Sequence, residues 1–420
     1  MRRVLVALAL VLPAVLSAQN NRIDTITPLA PELAPYGAHN IGVRTIQVTD
    51  RNRPDILNIK EGGPLVRYDR TLTLEVWYPA ALAPGQQPGG DYRAITRDPA
   101  ITVTLHGKAV RDAAPRGGAP YPLVIISHGY PGDRLLMGHL AETLASKGYV
   151  TVSIDHKDST YDDQKAFAST LYNRPFDQLF VLNEIDRLSK PDSGSVLSGL
   201  VDATTAGIVG YSMGGYGVVN VIGGGYATAA ASLQQAPPNK MLLERSASNA
   251  DYQRARDPRI KAAIAVAPWG MQGGFWDADG LKGIRTPTLF IAGSNDTVAG
   301  YEKGTHAIFD AAVNADRYML TFINAAHNAA APIPAPAEVY GPTPTKGVNA
   351  FAHYADPVWD TARMNNIFDH FAAAFFGLHL KHDAAMSAYL DVPQSGKDGW
   401  KGFARGAAVG VTLEHRAPQQ

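Results

Sequence analysis

Residues 206–217 read Ala-Gly-Ile-Val-Gly-Tyr-Ser-Met-Gly-Gly-Tyr-Gly, and this stretch restricts the fold more than any other. A short apolar run, 206–209, meets Gly210-Tyr211-Ser212-Met213-Gly214. Tyr216, Val218, Val219 and Ile222 then continue at helical spacing. A strand that turns sharply into a helix at a serine is a nucleophile elbow. Its strained backbone demands small neighbours, and Gly210, Gly214 and Gly215 supply them. The turn lifts the Ser212 hydroxyl above the sheet and leaves the Met213 N–H at a helix N-terminus, facing the place where an oxyanion develops. Ser212 is the candidate nucleophile.

Around this elbow the chain alternates buried strands with amphipathic helices. Strands are expected at 41–48, 71–78, 101–105, 123–127, 149–154, 260–267, 288–292 and 318–323, with helices over 135–144, 176–188, 301–313 and 364–380. The pattern predicts an α/β protein with a mainly parallel, doubly wound sheet and helices on both faces. Residues 19–40 form a Pro-rich arm, and 41–420 one domain. Two stretches break the alternation: 223–258, which opens with Gly-Gly-Gly, and the Ala/Pro-rich 329–346. Both are expected as insertions over the catalytic end of the sheet.

Lys+Arg 38 against Asp+Glu 38 gives no net charge, which excludes a basic field for nucleic acid. With no cysteine, thiol chemistry and cysteine metal sites are excluded. Arg2 and Arg3, an apolar run over 4–16 and the small pair Ser17-Ala18 have the pattern of a secretory signal peptide, 1–18. The run is too short for a membrane span. The expected destination is therefore secreted or periplasmic.

A serine hydroxyl needs a base within hydrogen-bond reach and a group that orients that base. At an elbow of this kind the chain order is Ser, acid, His, with the last two just past later strands. Strand 288–292 runs into Gly293-Ser294-Asn295-Asp296, and strand 318–323 into Asn324-Ala325-Ala326-His327. Asp296 is the expected acid and His327 the expected base, with His353 the alternative base. The second oxyanion donor is expected after strand 123–127, in His128-Gly129-Tyr130, from the Tyr130 N–H. Asp155, His156, Asp158, Asp162 and Asp163 cluster after another strand; a solvated loop is expected there rather than a metal site.

Several segments carry a family resemblance: Leu74-Glu75-Val76-Trp77-Tyr78-Pro79, Ser127-His128-Gly129-Tyr130, Leu144-Ala145-Ser146-Lys147-Gly148-Tyr149-Val150, Asp155-His156-Lys157-Asp158, the elbow itself and Asp257-Pro258-Arg259-Ile260-Lys261-Ala262. Across 41–376 the chain resembles the α/β-hydrolase superfamily, and within it the dienelactone-hydrolase-like and platelet-activating-factor-acetylhydrolase-like esterases. His-Gly-Tyr, Ser-Met-Gly-Gly and Ala267-Pro268-Trp269 are also similar to bacterial polyester hydrolases and cutinase-like lipases. That resemblance implies that Tyr130 and Trp269 flank the bound ester, the alternative for Trp269 being a packed core aromatic. It implies no cofactor and no metal.

The expectation is an exported serine hydrolase of carboxylic esters, acting on a small-molecule or lipid-like substrate, with short-chain or acetyl esters foremost. A peptidase or amidase on the same fold and a polyester or lipid hydrolase are the alternatives. Oligomeric state is left open.

Overall fold

The computed structural model describes residues 21–118 and 120–419; the expected signal peptide lies outside the described residues. The strands are β1 (Asn40–Pro54), β2 (Arg67–Ala81), β3 (Gly90–Ile95), β4 (Thr102–Gly107), β5 (Val110–Arg111), β6 (Ala114–Pro115), β7 (Tyr121–Ser127), β8 (Val150–Asp155), β9 (Val201–Tyr211), β10 (Ile260–Val266), β11 (Thr288–Gly293), β12 (Arg317–Phe322) and β13 (Val411–Arg416). The main sheet has the order β13-β12-β11-β10-β9-β7-β8-β2-β1-β5. From β8 across to β12 every pairing is parallel, and β1, β2 and β13 join antiparallel at the two sides. β3 and β4 form a separate hairpin.

The central strands read as unbroken apolar runs because both faces are covered. Successive side chains of β7 go to opposite cores: Leu123 and Ile125 to one, Val124 and Ile126 to the other. On one face lie α1 (Gly138–Ser146) and α7 (Thr361–Leu380), packing Leu140, Leu144, Phe371, Phe375 and Phe376. On the other lie α2 (Phe167–Ser189) and α3 (Met213–Val221), packing Val181, Leu182, Ile185, Val218 and Val219. Three short helices complete the set: α4 (Ala250–Arg254), α5 (Ala278–Leu281) and α6 (His306–Ala311).

α2 contains Pro175, which has no N–H to give the carbonyl of Leu171 one turn back. The Tyr216 hydroxyl of α3 donates to that carbonyl at 3.2 Å, so the defect in one helix becomes a tie to the next. The helices approach closely where a Cβ on Gly217 would lie 2.8 Å from Arg174 Cγ.

Several expectations change. The helix expected over 301–313 is a π-type turn, Tyr301–Thr305, followed by α6, because Gly304 leaves helical geometry. Strands β3, β5, β6 and β13 were not foreseen. The acidic cluster is solvated only in part: Asp162 is exposed, but His156 and Asp158 are buried, and Asp155 pairs with Arg134 at 2.6 Å. Arg70 reaches both Asp158, at 2.8 Å, and Asp177, at 2.9 Å, so the charges belong to an interior network. The arm lies on the domain, with Ile23 N–H donating to His106 O at 3.0 Å and Leu33 N–H to His370 Nδ1 at 3.1 Å.

Candidate active site

The central parallel strands end on one edge, and the three side chains singled out for acyl transfer stand just past β9, β11 and β12. Ser212 has φ 54° and ψ −113°, a left-handed conformation that non-glycine residues rarely adopt. The surroundings hold it there. A Cβ on Gly214 would lie 1.9 Å from Ser127 O, and one on Gly210 would lie 2.3 Å from Gly214 C. The strand and helix legs of the elbow therefore touch backbone to backbone.

His327 Nε2 lies 2.9 Å from Ser212 Oγ, and His327 Nδ1 lies 2.9 Å from Asp296 Oδ2. The other carboxylate oxygen of Asp296 accepts the Val298 N–H at 2.7 Å and the Ala299 N–H at 3.0 Å. Burial pushes the Asp296 pKa up, but hydrogen bonds from His327 and these two amides outweigh it and hold the carboxyl below its usual range. The loops that carry Asp296 and His327 are tied together. Asn295 N–H donates to Ala325 O at 2.9 Å and Asn324 N–H to Ser294 Oγ at 2.8 Å, across a crossing that Gly293 makes possible.

His353, the alternative base, bonds the Tyr161 hydroxyl at 3.0 Å through Nε2, and desolvation pushes its pKa down to about 3. Among the hydrogen bonds to Ser212 Oγ, the imidazole is that of His327.

Met213 opens α3 immediately after Ser212, so its N–H is one of the initial helix donors that lack an intrahelical acceptor. Gly129 sits against Ser212: a Cβ there would lie 3.2 Å from both Ser212 Cβ and the Tyr211 ring. The following residue, Tyr130, lines the same cavity as Ser212.

A cavity of about 550 Å³ opens over Ser212 and His327, lined by Tyr130, Pro131, Tyr211, Val298, Phe351 and His353 among others. Tyr130 reaches this cavity and Trp269 does not line it. The ring of Phe167, at the start of α2, stands between them, edge-on to Tyr130 at 5.2 Å and to Trp269 at 5.3 Å. Neither stretch expected as an insertion over the site lines the cavity. Residues 223–258 pack behind it, with Tyr226 stacked on Tyr216 and Tyr252 bonded to Asn220 O.

The outer wall is 351–357 instead. Asn328, next to His327, donates to Ala352 O at 2.7 Å and Ala355 O at 2.8 Å, and accepts from the Tyr211 hydroxyl at 3.0 Å. The sequence offered one signal for this wall, the polar Asn328 directly after His327. Among the described residues no group of three or more His, Asp or Glu is arranged to hold a metal ion.

Strand order, elbow and helices on both faces define the α/β-hydrolase fold. The same fold is seen in a ferulic acid esterase from Streptomyces cinnamoneus, with a TM-score of 0.58 at 20% identity, covering 94% of this chain and 99% of that one. Two families match parts of the sequence: PET hydrolase-like over residues 248–335, and platelet-activating factor acetylhydrolase, isoform II, over 100–177. The first interval contains Asp296 and His327 and the second contains Gly129 and Tyr130; Ser212 falls between them. Among curated relatives, Cutinase est1 of Thermobifida alba is 25% identical over 214 residues, 51% of this chain and 55% of the relative. Cutinase 2 of Thermobifida cellulosilytica is 26% identical over 185 residues, 44% of this chain and 52% of the relative. The chain thus spans about half the length of the curated relatives it matches. It is an α/β-hydrolase related to the polyester hydrolases and cutinases.

Proposed function

We propose that the protein is an exported serine hydrolase that cleaves carboxylic esters through an acyl-enzyme. The observation that carries this reading is the unbroken relay from Asp296 through His327 to Ser212, with both links at 2.9 Å and the serine on a strained elbow. His327 takes the hydroxyl proton as Ser212 Oγ attacks the ester carbonyl, while Asp296 fixes the imidazole tautomer and stabilises the imidazolium. The Met213 and Tyr130 N–H groups receive the oxyanion. His327 then returns the proton to the departing alcohol, and water cleaves the acyl-serine by the same route. No step requires a cofactor or metal.

Matches to cutinases and to a PET hydrolase-like family support ester over amide cleavage. The signal-like N-terminus supports export, and among the described residues no helix is long and apolar enough to cross a membrane. Short-chain or acetyl esters remain the first substrates to try. A second reading, hydrolysis of lipid-like or polymeric esters, is favoured by the exposed apolar rim of the cavity, where Val298 is 50% and Phe351 37% exposed.

A p-nitrophenyl ester series from acetate to palmitate tests both. Turnover that disappears in Ser212→Ala establishes the chemistry, and the chain length at maximum kcat/KM separates the substrates. Ser212→Ala and His327→Ala should each lower kcat by about three or more orders of magnitude, with the double variant little worse than either. Turnover independent of Ser212 on every chain length refutes the reading.

A further inference from the structure

Arg174 lies on α2, buried to 1% exposure behind the loop that follows β7. Among the described residues no carboxylate stands within ion-pair distance of it. Asp177, next along the helix, is taken up by Arg70 at 2.9 Å, Arg53 at 3.2 Å and His156 at 3.0 Å. The Arg174 guanidinium spends its hydrogens elsewhere. Nη1 donates to His128 O, while Nη2 donates to Ser159 Oγ at 2.7 Å and to Gly129 O at 3.4 Å. Its Nε has no partner. A buried cation with no carboxylate in direct contact opposes folding, even with Asp177 attracting it from farther off, and apolar side chains of similar volume fill such space at no electrostatic penalty. Desolvation pushes its pKa down to about 9, which still leaves it charged at neutral pH.

The more distant of its two carbonyl partners, Gly129 O, is the one that aims the oxyanion donor. Gly129 O also accepts from His128 Nδ1 at 2.7 Å, and His128 Nε2 in turn accepts the His156 N–H at 3.1 Å. That pair of bonds fixes a neutral His128 with its proton on Nδ1. In a trans peptide the C=O and N–H point in opposite directions. The Gly129 carbonyl is drawn inward to α2, so the Tyr130 N–H faces the other way, towards the side on which Tyr130 and Ser212 line the cavity. A donor whose own carbonyl is bound to a cation is also more strongly polarised.

We propose that Arg174, acting with His128, is the positioning residue of the oxyanion site. It holds and polarises the Gly129–Tyr130 peptide, and its charge sits behind the atom that becomes negative. This rests on the reading of Ser212 as nucleophile. Arg174 touches neither substrate nor Ser212, so its effect falls on the transition state rather than on substrate binding.

The test compares wild type, Arg174→Met, Arg174→Lys and Ser212→Ala on p-nitrophenyl butyrate, with thermal melts of each. Arg174→Met should lower kcat about 100-fold, the scale of a lost oxyanion donor, with KM within about threefold. The affinity of an alkyl boronic acid, which forms an anionic tetrahedral adduct on serine, should fall by the same factor. Arg174→Lys, which keeps the charge, should recover part of the loss. For the wild type alone, the Tyr130 amide proton should move downfield in the NMR spectrum when the boronic acid binds. A folded Arg174→Met with kcat within threefold of wild type, equal weakening of KM and kcat, or an unmoved Tyr130 amide overturns the proposal. Activity surviving in Ser212→Ala would instead overturn the underlying reading.

Discussion

Replacing Asp296 with asparagine changes one atom and should leave the elbow untouched, yet the hydrogen bonds around this carboxylate predict a large loss. Oδ1 is held by two backbone donors, Val298 N–H at 2.7 Å and Ala299 N–H at 3.0 Å, and Oδ2 accepts from His327 Nδ1 at 2.9 Å. An asparagine must put its single carbonyl oxygen on the side of the two N–H groups, and its NH2 then faces His327. The imidazole can answer only by accepting at Nδ1, which moves its proton to Nε2, and a protonated Nε2 cannot take the Ser212 proton. Turning the amide over restores the tautomer but leaves the part-buried Val298 N–H and the buried Ala299 N–H without an acceptor, at most about 1–3 kcal/mol each. The productive arrangement therefore lies about 2–6 kcal/mol uphill, or about 30-fold to 10⁴-fold in rate. Asp296→Asn should show kcat reduced within that range with KM nearly constant. Asp296→Ala, which imposes no tautomer, should be no slower than Asp296→Asn although it melts earlier. Steady-state kinetics and thermal melts on both variants check this. An Asp296→Asn enzyme within tenfold of wild type would refute the argument that the two backbone donors lock the carboxylate's orientation.

Gly214→Ala should destabilise the elbow by about 3 kcal/mol or more, because its Cβ would lie 1.9 Å from Ser127 O and only backbone can move away; a urea titration and an activity assay both matching wild type would contradict it. His370 is buried, accepts the Leu33 N–H through Nδ1, and is pushed by desolvation down to about 3 from an ordinary 6.5. Between those values the unfolded chain binds the proton that the folded one refuses, so stability falls as pH drops below 6.5, by about 2 kcal/mol from this group at pH 5. In His370→Gln, whose amide oxygen can still accept from Leu33, the loss between pH 8 and pH 5 should shrink by that amount, and identical pH profiles from chemical denaturation would refute it.

The elbow, the strand ends and the relay were legible because each is local. Gly210 and Gly214 announce the close crossing that leaves no room for a Cβ between strand and helix. Asp296 and His327 each follow a buried apolar run whose end fixes where the next side chain stands, and parallel pairing of β11 with β12 brings those ends side by side. Of the four strands that escaped, two did so for equally local reasons. β3 carries Gly90 and Asp91 in a short hairpin, and β13 alternates Val411, Leu413 and charged residues at the sheet edge, a weak signal beside the central runs.

The cavity wall and the buried network escaped because their partners are far apart in sequence and their residue types point the other way. An acidic run after a strand reads as solvated surface. Here Asp158 is buried by Arg70, 88 residues earlier, whose charge also holds Asp177. Arg174 precedes the helix expected over 176–188, and only the earlier start of α2, at Phe167, and its placement beneath the loop after β7 turn it inward. The same placement puts Phe167 between Tyr130 and Trp269, so one helix both removes the expected tryptophan from the cavity and delivers an unforeseen cation behind it. The wall at 351–357 is attached through Asn328 on one side and through Asp356, which accepts the Ala326 N–H at 2.7 Å, on the other. Both ties grip residues adjacent to His327. Cutting the Asp356 tie with Asp356→Ala therefore reaches His327 itself, linking the shape of the cavity wall to the position of the imidazole.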